Sequence, residues 1–99
     1  MIGLIGKLKA APGKEKQLEA LFKELSALAK AHEPGMVTHC FFKSRSEPGL
    51  FVAVEVFRDQ AAFDNHSKTE HYKEHLPHIA PLVDSQLGGG IELFDVVAL

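Results

Sequence analysis

One strand constrains the fold of this chain more than any other segment. The run from Leu50 to Phe57, LFVAVEVF, is apolar on both faces except for Glu55. A strand that packs one face on its own core and turns the other to water alternates apolar with polar residues. Both faces of this strand are therefore expected to be buried. The helices of a 99-residue chain can cover one face, so the pattern predicts that a second copy covers the other, in a homodimer.

Glycine, proline and capping residues divide the chain into six segments. Strands are predicted at residues 2–9, 36–43, 50–57 and 91–99. Apolar residues three and four positions apart predict a helix over residues 14–32, and Glu33-Pro34-Gly35 ends it. The order β-α-β-β-α-β is ferredoxin-like. It predicts one α+β domain over residues 1–99, whose four-stranded antiparallel sheet carries both helices on one face. The bare face would be lined by Leu4, Val37, Val52 or Ala53, and Phe94 or Val96.

The second helical region is predicted in two pieces. Asp59 is a suitable N-cap for a short helix over residues 60–66. Ser67 and Glu70 have the spacing of a capping box, which predicts a new helix from there to about Leu76. Pro77 is expected to break this second helix, and residues 88–90, three glycines, are expected to form a flexible hinge.

Composition excludes several classes of protein. The net charge of −2, with lysines spread among acids, argues against a nucleic-acid partner. No apolar run approaches the roughly 20 residues that span a bilayer, so no membrane partner is expected. The N-terminus lacks the pattern of a signal peptide. Cys40 is the single cysteine, which excludes an internal disulfide and favours a cytoplasmic location.

Several short motifs occur in a characteristic order. They are Pro12-Gly13, Glu33-Pro34-Gly35, Phe51 to Phe57 with Glu55 between them, Asp59, and the pair His66 and His71. In this order and spacing the chain resembles the antibiotic biosynthesis monooxygenase (ABM) domain, in its quinol monooxygenase-like branch. The resemblance implies a dimeric α+β barrel. The chain has no tryptophan, and its first strand has no asparagine; both absences depart from the haem-degrading branch and argue against that activity.

The resemblance also implies a chemistry for the two histidines. The family's cofactor-free oxygenases deprotonate a phenol or quinol, and the anion passes an electron to O2 without metal or flavin. A neutral imidazole can accept that proton near neutral pH. His66 is therefore the predicted base, and His71 its helper, with no cofactor. Contacts to a small aromatic or quinol-like substrate are predicted for Tyr72, Phe57, Phe51, Phe22 and Phe63.

Other interpretations remain open for the same residues. Both histidines can be purely structural, and the phenylalanines can be ordinary core residues. His71, His75 and His78 form one helical stripe, but Pro77 interrupts it, so no metal site is predicted and the last two are expected at an edge or in solvent. The buried stripe is instead predicted to be Tyr72, Leu76, Ile79 and Val83.

Glu55 has two possible roles. It is expected to form a salt bridge with Arg58, Lys43 or the second subunit, or alternatively to orient a histidine of the pocket. At the level of the whole protein, the alternatives are a non-oxidative, isomerase-like enzyme, a dimer that binds a small hydrophobic metabolite, or a stress-related dimer with no catalysis.

Overall fold

The computed structural model describes residues 1–84 and 90–99. Its elements, in chain order, are β1 (Ile2–Lys9), α1 (Glu15–His32), β2 (Met36–Lys43), β3 (Leu50–Phe57), α2 (Gln60–His66), α3 (Glu70–Ile79), a 3-10 turn (Ala80–Leu82) and β4 (Gly90–Asp95). The strands form one antiparallel sheet in the order β2-β3-β1-β4. The predicted ferredoxin-like α+β fold is confirmed. Of the predicted glycine hinge, residues 88 and 89 lie outside the described residues.

Helix α1 forms where the apolar spacing predicted it. Its buried residues are Leu18, Phe22, Leu25 and Ala29. Three of these join Phe51 and Ile79 in the hydrophobic core, so α1 is held by its apolar stripe rather than by a side-chain cap. No helix in the described part of the chain is both long and apolar enough to cross a membrane.

The start of α3 differs from the prediction. Asp59 caps α2 as expected, accepting a hydrogen bond from the backbone N–H of Ala62, and this bond lowers the pKa of its carboxyl. The capping box of Ser67 and Glu70 does not form. Thr69 is the N-cap of α3 instead, because its hydroxyl can both donate to the carbonyl of His66 and accept from the N–H of Tyr72.

The end of α3 also differs from the prediction. The helix runs through Pro77 to Ile79, and the 3-10 turn follows. A proline inside a helix removes one hydrogen bond. Burial of Ile79 in the core, where it is 9% exposed, favours continuation of the helix past that point.

The sheet has two unlike faces. The covered face packs against the three helices, and among its residues are Leu4, Phe41, Ala53 and Glu55. The uncovered face carries the alternate residues, among them Ile5, Phe42, Val52, Val54 and Phe94. The expectation that Leu4 lines the bare face is therefore wrong, and of Val52 and Ala53 only Val52 does so, because the strand register turns Leu4 and Ala53 toward the helices.

Strand β4 is shorter than predicted. It ends at Asp95 rather than continuing to Leu99. The N–H of Val96 still bonds the carbonyl of Met1, and a methyl group of Val96 lies over Gly3, on the uncovered face. Ile91 is 72% exposed although it belongs to the covered side, since the helices do not extend over this edge of the sheet.

A close approach fixes α2 against the turn before β2. A Cβ atom added at Gly35 would lie 2.5 Å from the Cβ of Ala62, and the carbonyl of Gly35 accepts from the N–H of Arg58. Any side chain at this position would displace α2. The Pro34-Gly35 pair therefore does more than end α1: it sets the distance at which α2 sits from the sheet.

Candidate functional site

A cavity of about 380 Å³ lies between the covered face and the helices. Most of its lining is apolar, with Leu4 and Ala53 from the sheet, Phe22 from α1 and Ile79 from α3. Among its polar lining residues are His39, Glu55, His66 and Tyr72. An apolar pocket with a few convergent polar groups is the usual form of a small-molecule site.

Strand register brings His39 and Glu55 together. The two residues are direct cross-strand partners in β2 and β3, and side chains in such positions project from the same face. An irregularity of β2 between Met36 and Thr38 precedes them. His39 is 2% exposed and Glu55 7%, so an imidazole and a carboxyl group are enclosed side by side.

Helix α2 delivers His66 to the same place. His66 is its last residue, and its Nε2 atom lies 3.2 Å from Oε1 of Glu55. The Nε2 atom of His39 lies 3.7 Å from the same oxygen. The rings of His66 and Tyr72 are in edge contact, with centroids 5.1 Å apart. Two imidazoles, one from β2 and one from α2, thus converge on one carboxylate oxygen from β3.

A second carboxylate, that of Glu33, binds the other ring nitrogen of His66. Glu33, the residue that follows α1, is 5% exposed. Its oxygens lie 2.8 and 3.0 Å from Nδ1 of His66, and one of them lies 2.6 Å from Nε2 of His71. Glu33 therefore accepts from both imidazoles. This pairing fixes the ring of His66 with Nδ1 toward Glu33 and Nε2 toward the cavity.

Glu55 is not satisfied in the same way. Its contact with His66 lacks hydrogen-bond geometry, so among the described residues Oε1 of Glu55 has no hydrogen-bond partner. Burial raises the pKa of Glu55, although the nearby His66 opposes the rise. Burial, helped by His66, lowers the pKa of His39 to about 4. The cavity thus disfavours charge on both members of the cross-strand pair.

The predicted salt bridges of Glu55 do not form within the described chain. Arg58 contacts Asp59 at 3.5 Å, and Lys43 contacts Glu19 at 2.8 Å. Both cations lie at the surface, whereas Glu55 is inside. The arrangement instead matches the second interpretation, in which this carboxyl group faces the histidines of the pocket.

The predicted site residues divide into two groups. His66, Tyr72 and Phe22 line the cavity. His71 does not line the cavity; it contacts Glu33, which in turn contacts His66. Phe57, which is fully buried, packs against Phe63 and His66, and Phe51 packs edge-on against Phe22. These three phenylalanines support the walls and do not line the cavity.

The helical stripes of α3 are arranged differently from the prediction. His75 was expected at an edge or in solvent, but it is 7% exposed; Leu76, expected to be buried, is 48% exposed. The ring of His75 donates from Nδ1 to the carbonyl of His71, and its Nε2 lies 3.4 Å from Glu24. His78 is exposed as expected. The ring nitrogens of His71 and His75 thus face different acids, Glu33 and Glu24.

Sequence reasoning missed Glu33 and His39. Glu33 was considered only as part of the motif that ends α1, and His39 was considered only as part of a strand. One signal for His39 was present: it is a polar residue between Val37 and Phe41 in the alternating pattern of an apolar strand. No comparable local signal distinguishes Glu33, because its burial depends on where α2 and α3 pack.

Comparisons with known proteins agree with this architecture. The family profile described as antibiotic biosynthesis monooxygenase matches residues 1–77. An uncharacterized protein of Synechocystis sp. is 30% identical over 73 residues, which are 74% of this chain and 49% of that protein. This chain therefore spans about half the length of the curated relative that it matches.

Solved structures share the whole fold. The crystal structure of a proposed antibiotic biosynthesis monooxygenase from Caulobacter crescentus has a TM-score of 0.89 at 29% identity, covering 98% of this chain and 90% of that one. SnoaB, a cofactor-independent oxygenase from Streptomyces nogalater, has a TM-score of 0.82 at 19% identity, covering 99% and 94%; at that identity the likeness shows the fold alone. With a family match over three quarters of its length, this chain belongs to the antibiotic biosynthesis monooxygenase family.

Proposed function

We propose that the protein is a monooxygenase that oxidises a quinol or a related phenolic or polycyclic aromatic compound with O2, without a cofactor. The observation that carries this proposal is the pair formed by His66 and Glu33. It places an imidazole nitrogen at an apolar cavity and supports that ring with a buried carboxylate. Membership of the family supports monooxygenation as the reaction class.

His66 is the proposed base. Its Nδ1–H donates to Glu33, which leaves Nε2 free to accept the hydroxyl proton of a bound phenol. Glu33 then stabilises the imidazolium that forms, as the carboxylate does in a catalytic triad. His71 acts through Glu33 as a positioning residue. Tyr72, beside His66, is placed to bond an oxygen of the substrate.

The proposed reaction consists of a proton transfer to His66 followed by electron transfer to O2. Loss of the proton to His66 leaves an electron-rich anion, which transfers an electron to O2, and the two radicals combine into a peroxide. The oxygen–oxygen bond then breaks as the oxygenated ring carbon loses its hydrogen, and one oxygen atom stays on that carbon as a carbonyl, which tautomerises to a hydroxyl group. The other oxygen leaves as water, whose two hydrogens are the proton returned by His66 and the hydrogen lost by the ring carbon. A quinol and O2 thus give a hydroxyquinone and water. The apolar walls favour binding of an uncharged aromatic ring.

An oxygen-uptake assay tests this proposal. Reduced menadione, a naphthoquinol, is added to the protein in the presence of a chelator, and O2 consumption above autoxidation is recorded. His66→Ala is expected to lower the rate by about 10²–10⁴-fold, the usual contribution of a positioned general base. His78→Ala is the matched control, because His78 is exposed on α3 and should leave the rate unchanged.

Two outcomes contradict the oxygenase proposal. One is a rate in His66→Ala equal to that of the unchanged protein. The other is no O2 uptake with any quinol together with saturable calorimetric binding of the aromatic compound, which would favour the isomerase-like or metabolite-binding alternative.

We further infer that the uncovered face pairs with the same face of a second copy, closing a dimeric barrel. Phe42 is 58% exposed, Phe94 42% and Ile5 39%, on three different strands of one sheet. A patch of this kind on a small protein marks an interaction surface. A second copy is the favoured occupant because the apolar side chains of two identical, identically twisted faces can pack against each other, as an isologous interface requires. The free thiol of Cys40 suits the reducing cytoplasm.

A further inference from the structure

The groups around Oε1 of Glu55 also form a ligand set for a metal ion. Atoms of His39, Glu55 and His66 all lie within 4.8 Å of one another. Two imidazole nitrogens and one carboxylate oxygen are ligands of divalent first-row transition metals. Ligands held about 2.1 Å from a tetrahedral ion lie about 3.4 Å apart. The distances of 3.2 and 3.7 Å to Oε1 of Glu55 therefore already approach the required values.

The hydrogen-bond network fixes which nitrogen of each ring is available. Ser26 donates its hydroxyl proton to the carbonyl of His39 at 2.7 Å, so its oxygen accepts from Nδ1–H of the same ring at 3.1 Å. Nε2 of His39 consequently carries a lone pair. Glu33 occupies Nδ1 of His66 in the same manner. Metal-binding histidines are held in this way, with the second nitrogen bonded to a carboxylate or another oxygen.

An independent observation points to a missing positive charge. Oε1 of Glu55 belongs to a side chain that is more than nine-tenths buried, and within residues 1–84 and 90–99 it has no hydrogen-bond partner. It also faces Nε2 of His39 and Nε2 of His66, and both are acceptors by the argument above. A buried carboxylate oxygen surrounded by acceptors is costly. A cation placed among them would satisfy all three atoms at once.

We propose that His39 and His66, through Nε2, and Glu55, through its carboxylate, bind one divalent first-row transition-metal ion inside the cavity. Glu33 and Glu55 together carry the two negative charges that balance the ion. Tyr72 and the apolar residues line the same cavity as these three ligands. The inference does not rest on the proposed oxygenation. An ion on Nε2 of His66 would prevent that atom from accepting a proton, so the metal-bound site would be inactive as an oxygenase and the metal-free site active.

Metal titration without any substrate tests the inference. Tag-free protein is dialysed against a chelator, then titrated with Co2+ and separately with Zn2+, followed by calorimetry and, for Co2+, visible absorption. One ion per chain is expected. Glu55→Gln, which keeps the shape and removes the charge, should raise the Kd at least about 100-fold. Ser26→Ala, which releases the ring of His39, should raise it about 10–100-fold.

His78→Ala is the matched control and should leave the Kd unchanged. Circular dichroism spectra equal to that of the unchanged protein show that each variant is folded. Failure to bind one ion per chain would overturn the inference, and so would binding that Glu55→Gln leaves intact. Because neither measurement involves a quinol or O2, this result is independent of the oxygen-uptake assay, which is run in chelator.

Discussion

The two faces of the sheet differ in the kinds of side chain that they bury and expose. The covered face, although enclosed by helices, carries Glu55 and His39 near its middle. On the uncovered face, charged side chains such as Lys7 and Glu92 are exposed, and the large apolar side chains of Ile5, Phe42 and Phe94 are 39–58% exposed. Proteins usually bury their large apolar side chains and expose their ionisable ones. This difference supports the two proposals made above, a reaction on the covered face and a dimer contact on the uncovered face.

The covered face is itself divided. At one end Phe22, Leu25 and Phe51 form the hydrophobic core with Ile79. At the other end Glu33, His66 and His71 form a buried polar network. The apolar end supplies the stability that an enclosed polar network does not, since a buried ion pair is weak support for folding.

The largest expected effect is on stability, and it tests the difference between the faces with one phenylalanine from each. Phe57 is fully buried on the covered side, whereas Phe42 is 58% exposed on the other. Phe57→Ala should lower the free energy of unfolding by about 3–5 kcal/mol, because it leaves a cavity. Phe42→Ala should change the unfolding of the isolated chain far less. Urea denaturation of both variants measures the difference; equal losses would contradict the distinction between the faces.

A charge on the uncovered face tests the dimer. Val54 lies on β3 between Ala53 and Glu55 and points to the other side. Val54→Glu would place two buried carboxylates in a symmetric interface, and we expect the dimer Kd to rise at least about 100-fold, or about 2.7 kcal/mol. Analytical ultracentrifugation measures it. Lys16→Glu, an exposed change on α1, which packs on the covered side of the sheet, controls for charge alone. A chain that is monomeric before mutation would refute the pairing.

The pH dependence of the free energy of unfolding tests the two buried ionisable groups of the covered face, His39 and Glu55. Burial lowers the pKa of His39 to about 4, from the usual 6.5 of a histidine. Acid therefore favours the unfolded state, and the free energy of unfolding falls by ~3 kcal/mol as pH drops from about 6.5 to 4. Glu55 acts in the opposite direction: its pKa is raised, so its contribution is lost as pH increases from about 4.5 through its folded pKa.

Glu55→Gln separates these two groups. The variant keeps the acid sensitivity due to His39 and removes the loss at higher pH. Its free energy of unfolding relative to the unchanged protein should therefore increase between about pH 4.5 and pH 8. Urea denaturation in chelator at several pH values measures the difference. A difference that does not vary with pH would show that the carboxyl group of Glu55 titrates normally.

The fold was predictable because its signals are local. Strand β3, the apolar stripe of α1 and the cap at Asp59 each depend on neighbouring residues, and the structure confirms them. The site was predictable only where a residue stood out, as Glu55 and His66 did. The partnership of Glu33 with His66 joins residues 33 positions apart, and it follows from packing that no local pattern encodes. The cap at Thr69 was missed for a smaller reason, since two hydroxyl residues compete over three positions.

The contact between Gly35 and Ala62 has a consequence for how this cavity can be altered. The turn after α1 touches the very helix that carries His66, at a point outside the cavity lining. Adding one methyl group there would push α2 outward and carry the imidazole with it. The absence of a side chain at Gly35 therefore helps to set the width of the cavity. Substitution at this position offers a way to admit larger ligands without changing any residue that lines the cavity.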